Sequence, residues 1–183
     1  METKEEHYLR IRNEITDGCL FIMNKNAFIS KGIRWFDNNA EYSHVGLVFE
    51  KELGDRKRLF IIDSNETGVK PALLSDRLKE CDSFLVIKPL CNLHKININL
   101  ANSFDRAEKG IKYDYKNAIK EAFNRKLSTR FKIKLKDNSE ICSQWTKIQA
   151  IEQDMVSFEF SLLELPFPQD YLRYRNIATT SVL

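Results

Sequence analysis

Hydrophobic positions along the first half of the chain switch between two spacings. In "TKEEHYLRIRNEIT", residues 3–16, Tyr8, Ile11 and Ile15 fall three and four apart, which predicts a short amphipathic helix. "DGCLFIM" follows as a turn and a strand. "AFISKGIRWF" reads as a helix with Phe28, Ile29, Ile33 and Phe36 on one side and Lys31 and Arg34 towards solvent, ended by "DNNA". "YSHVGLVFE" and "RLFIID" are β-rich runs joined by the polar "KELGDRK", a hairpin signal with a loop longer than the minimal turn. A polar stretch containing the short helix "SDRLKE" leads to the strand "FLVIKPL".

The second half continues the mixture. "INLANSFDRAEKGI" predicts a helix closing near Gly110, and "YDYKNAIKEAFNR" begins another helical stretch. In "RFKIKLK", Phe131, Ile133 and Leu135 alternate with Lys132, Lys134 and Lys136, the pattern of a half-buried strand with a basic outer face. "NSEICSQWTKIQAIEQ" returns to helical spacing, with Ile141, Trp145, Ile148 and Ile151 as its stripe. Trp35 and Trp145 both fall on apolar helix faces and read as core residues. With no repeat and no linker, the expectation is a single domain over residues 1–183.

Bulk composition narrows the classes. The 183 residues are 43% hydrophobic, enough for one sizeable core. A net charge of +3 is too small to mark a nucleic-acid binder. Seven basic residues and one acidic residue lie between Lys120 and Lys136. Their alternation reads as a solvated face, so membrane contact through Lys132, Lys134 and Lys136 is not expected, and no nucleic-acid motif accompanies them. "METKEEHYLR" has no apolar signal region and "CLFIM" is far short of a membrane span, which gives the expectation of a cytoplasmic protein. Cys19, Cys81, Cys91 and Cys142 form no C-x-x-C pair, and His7, His44 and His94 are scattered, so no zinc spacing is found. Cys19, Cys81 and Cys91 read as structural thiols, and His7 and His94 as exposed rings.

Two places carry candidate chemistry. Cys142 falls in the first turn of its helix with Ser139 as N-cap, where the helix dipole favours a thiolate; a small buried hydrophobe on the stripe is an equally good reading of the same position. His44 opens a strand. If the hairpin loop is centred between Glu50 and Lys57, Phe49 pairs with Arg58, Gly46 with Ile61 and His44 with Asp63, which would put an imidazole and a carboxylate on one face. Such a pair fixes the tautomer of a general base. Gly46, on the same face, leaves space beside His44 or serves close strand packing.

The order "DGCLFI", "ISKGIRWF", "YSHVGLVFE", "FIIDSNETGVK", "GIKYDY" and "ICSQW" resembles the circularly permuted branch of the NlpC-type papain-like cysteine hydrolases, the YiiX-like group related to lecithin–retinol acyltransferase-like proteins. The similarity runs over roughly residues 15–175 and rests chiefly on "SHVG" and on the late cysteine that opens a helix. It implies an α+β class and a permuted papain-like fold: an antiparallel sheet or partial barrel packed against helices, with the nucleophile at a helix N-terminus. It implies Cys142 as nucleophile, His44 as base and Asp63 as third member, with Glu66 a competitor, and it brings Tyr113 or Tyr115 near the oxyanion. The implied activity is a thiol hydrolase cleaving an amide or isopeptide bond, such as one in cell-wall peptides, through an acyl-enzyme that requires no metal or organic cofactor. Acyl transfer or thioester cleavage on lipid acyl groups, and a silent binding module of the same fold, are the alternatives.

Overall fold

The protein is described by a computed structural model covering residues 2–25, 31, 34–35, 40–65, 68–90, 147, 151, 169–175 and 180–183. The expected helices between residues 92 and 146 and the "RFKIKLK" strand lie outside these residues, as do Cys91, His94, Tyr113, Tyr115, Cys142 and Trp145. Glu66 does too.

Helix α1 (Lys4–Ile11) begins at a capping box. The Thr3 hydroxyl accepts the Glu6 N–H at 3.2 Å while Glu6 accepts the Thr3 N–H at 2.7 Å, so two otherwise orphaned donors are satisfied reciprocally. Tyr8, Ile11 and Ile15 are buried, as their spacing requires. A single 3₁₀ turn (Arg12–Glu14) and Gly18, at φ +82°, then lead into β1 (Leu20–Lys25).

The remaining elements are β2 (His44–Leu53), β3 (Arg56–Asn65), β4 (Gly68–Leu73), helix α2 (Leu74–Glu80), β5 (Cys81–Pro89), helix α3 (Asp170–Arg173) and β6 (Thr180–Val182). Among the described residues the strands form one six-stranded sheet in the order β4-β3-β2-β1-β5-β6, antiparallel throughout. The architecture is therefore α+β.

Side-chain alternation splits the core across the sheet. Leu20, Ile22, Val45, Leu47, Phe49, Ile62 and Ile87 face one side, where Tyr171 of α3 covers them. Phe21, Met23, Val48, Ile61, Phe84 and Val86 face the other, under Tyr8 and Ile11 of α1 and Leu74 and Leu78 of α2. Phe21 stacks on Phe84 with ring centroids 4.8 Å apart. Each fully buried aliphatic side chain of these layers contributes about 1.5–3 kcal/mol. The inner half of β2 is buried on both faces, which explains its near-continuous run of apolar residues.

Several expectations are corrected. The β2–β3 hairpin closes through a two-residue turn at Gly54 and Asp55, not a long loop: Gly54 takes φ +62°, and Leu53 pairs with Arg56. The polar residues expected in the loop are exposed strand residues on an arm that projects beyond β1. Phe49 consequently pairs with Phe60 rather than Arg58, a shift of two residues. The segment "GVKPAL", to which the sequence assigned no element within its polar stretch, is edge strand β4, where Pro71 is tolerated because an edge strand has one unpaired side. Trp35, expected in the core, is 55% exposed. Arg34, expected towards solvent, is half-buried. Among the described residues no helix is long and apolar enough to cross a membrane.

Candidate active site

His44 is the first residue of β2, opposite Met23 of β1. Its entry is pinned by Ser43, whose N–H donates to the Met23 carbonyl at 3.0 Å and whose hydroxyl accepts the Lys25 N–H at 3.1 Å. Continuing the β2–β3 register from Leu47 and Ile62 brings Asp63 level with Gly46, so His44 stands diagonally from Asp63. A shift of two residues keeps both side chains on one face because the strand period is two. The ring reaches across this diagonal: His44 Nε2 lies 2.8 Å from Asp63 Oδ2. Both residues are buried.

Gly46 lies on the same face as the pair. A Cβ there would come within 2.6 Å of Ile61 Cδ1 and 2.9 Å of the Ile62 carbonyl oxygen. The Ile61 side chain occupies that space, so the glycine serves close strand packing rather than an open pocket.

Asp63 is held from the helical side as well. Arg77 Nη2 donates to Oδ1 at 3.0 Å, and its Nε sits 2.9 Å from Oδ2 as an ion-pair contact whose N–H is not aimed at the oxygen. Lys25 Nζ stands 3.9 Å from Oδ2. Glu80 closes the network, accepting from Arg77 Nη1 at 2.9 Å and lying 3.3 Å from Lys25 Nζ. Burial pushes the Asp63 carboxyl upward. The His44 hydrogen bond and the charges of His44, Arg77 and Lys25 outweigh it and hold the group below its ordinary value. An ionised carboxylate only accepts, so Nε2 carries the hydrogen and the neutral ring has its lone pair on Nδ1.

Local sequence explains this convergence. Lys25 continues the alternation of Phe21 and Met23 onto the same face. In α2, Leu74 and Leu78 bury one stripe, and Arg77 flanks it. The sequence reading did not single out Arg77, Lys25 or Glu80. The available signal was an arginine bordering the apolar stripe of a short helix, and a lysine in phase with an inward-facing strand.

The structure brings His44 and Asp63 together; Cys142 and Tyr113 lie outside the described residues. Cys19 and Cys81 are buried free thiols, and burial raises the pKa of both. His7, expected to be exposed and unaccompanied, is half-buried: Nδ1 is 3.3 Å from Glu2 and the ring meets Phe84 edge-on. Among the described residues no group of three or more His, Cys, Asp or Glu side chains is arranged to hold a metal ion. Asp63 already faces two cationic side chains, and a divalent ion would add further positive charge, so these residues do not fit one.

The α+β fold, an antiparallel sheet with helices packed on it, has a counterpart among solved structures. No protein-family model matches the chain. No curated protein matches it significantly. Among solved structures it is similar to metalloprotein YiiX from Escherichia coli O157:H7, of the DUF1105 group, with a TM-score of 0.54 at 14% identity over 92% of this chain and 96% of that one. At such low identity the likeness concerns the fold alone.

Proposed function

We propose that the chain is a cysteine hydrolase of the permuted NlpC-type papain-like class, acting on an amide or isopeptide bond. The single observation that carries this reading is the buried contact between His44 Nε2 and Asp63 Oδ2. It fixes the tautomer whose Nδ1 takes a proton from a nucleophile. The order of motifs in the sequence supports the same reading, with Cys142 as the nucleophile, and the likeness to YiiX agrees with it in fold alone.

In this mechanism the Cys142 thiol gives its proton to His44 Nδ1, and the thiolate attacks the carbonyl carbon. The Cys142 backbone N–H and Tyr113 stabilise the oxyanion. As the tetrahedral intermediate collapses, the C–N bond breaks and His44 returns its proton to the leaving amine. Water, deprotonated by His44, then attacks the thioester and releases acid and free thiol. Asp63 keeps the ring oriented throughout and stabilises the imidazolium.

The test is the pH dependence of alkylation at each cysteine, read by peptide mass spectrometry in the native protein and in His44→Ala. The expected result is that Cys142 reacts fast well below an ordinary thiol value of about 8.5, and loses roughly 10²-fold in rate near pH 6 without His44. A Cys142 that behaves as an ordinary thiol in both proteins sinks the hydrolase reading and leaves a binding module of the same fold.

A further inference from the structure

The carboxylate that contacts His44 is shared. Asp63 Oδ2 touches both His44 Nε2, at 2.8 Å, and Arg77 Nε, at 2.9 Å, while Oδ1 accepts from Arg77 Nη2. Two nitrogens in contact with one oxygen stand within about 6 Å of each other, so a permanent cation sits inside the range at which it acts directly on a neighbouring ring. The Arg77 side chain is itself only 12% exposed, and its Nη1 is tied to Glu80.

This arrangement meets two conflicting requirements. An imidazole with no carboxylate has no fixed tautomer, whereas an imidazole against a bare buried carboxylate stays protonated and makes a poor base. Sharing the carboxylate with a guanidinium keeps its geometry and dilutes its charge. We propose that Arg77 is a positioning residue: it locks the plane of Asp63 and offsets its negative charge, so that His44 is oriented without being held permanently as imidazolium. The proposal rests on the reading of His44 as the base. The other charged groups around Asp63 are Lys25 from β1, Glu80 from α2, and the exposed Lys70 opposite it on β4. Lys25 acts in the same direction as Arg77 at longer range, and Glu80 tempers both.

The experiment is an NMR titration of the His44 ring in the wild-type chain, in Arg77→Gln and in Arg77→Lys, with His44→Ala to assign the signals. Removing the cation should raise the His44 midpoint by about one pH unit, and Arg77→Lys should return it most of the way. An unchanged or lower midpoint in a folded Arg77→Gln protein overturns the proposal, because a purely structural brace would loosen the ring without raising its proton affinity. If Arg77→Gln does not fold, Glu80→Gln decides instead. Relieving the guanidinium of its second carboxylate should lower the midpoint, and no change or a rise overturns the proposal. The ring is observed directly and needs no reacting thiol. An unreactive Cys142 therefore removes the hydrolase reading alone, and an unmoved His44 beside a reactive Cys142 removes the role of Arg77 alone.

Discussion

His44 and Asp63 meet across a diagonal of the β2–β3 ladder, at 2.8 Å, although neither is the other's direct partner. The contact rests on both residues sharing a face and on Arg77 holding the carboxylate from the helical side.

Replacing Asp63 by Asn should cost stability as well as reactivity. The amide cannot balance Arg77, and removing one partner of a buried ion pair costs about 3–5 kcal/mol. Urea unfolding of Asp63→Asn should show a lower midpoint with an unchanged slope, and Cys142 alkylation near neutral pH should fall with the loss of the correct tautomer. An Asn variant as stable and as reactive as wild type would contradict the network.

The acid side of the stability profile follows from the lowered Asp63 pKa. The folded carboxyl binds its proton less readily than the unfolded one, whose ordinary value is 3.8. Its stabilising contribution is thus fully present above that value and is lost as the pH falls through it towards the lower folded pKa. Below about pH 4, wild-type stability should fall more steeply than that of Asp63→Asn, while above it the two profiles should run parallel. Profiles parallel throughout would show that Asp63 is not the titrating group.

Gly46→Ala should destabilise the protein by about 1–3 kcal/mol, since the new methyl must displace Ile61 or the Ile62 carbonyl. Thermal denaturation measures this directly. Gly46→Ala should cost less in an Ile61→Ala background, because both the Cδ1 and Cγ1 positions are vacated; an equal cost would place the strain in the Ile62 carbonyl contact.

Cys19 and Cys81 are buried, and burial raises both thiol pKa values. In the native protein they should resist iodoacetamide at neutral pH and react only after urea unfolding. Rapid native labelling at either site would contradict their burial and confuse the signal sought at Cys142.

The sequence exposed the parts of this site that depend on strand parity. Two β-rich runs of alternating residues are enough to put His44 and Asp63 on one face, and a two-residue error in the register leaves that conclusion intact. The turn itself was misread because "KELGDRK" is polar like a loop, whereas it is the tip of an arm that solvent surrounds. Strand β4 was hidden by Pro71, which argues against a central strand but not an edge. Arg77 escaped notice because its role arises from where α2 lands on the sheet, a tertiary fact with no local spacing of its own.

The paired ladder from His44 to Asp63 and the helix that braces it are contiguous in sequence, with Lys25 only a short way upstream. Chains emerge from the ribosome N-terminus first, and local contacts close before distant ones. The imidazole, its carboxylate and the bracing arginine are thus all synthesised well before residue 142. If Cys142 is the nucleophile, its activating partner is already made when the thiol emerges, and a nascent chain stalled before that point carries the base without anything to activate.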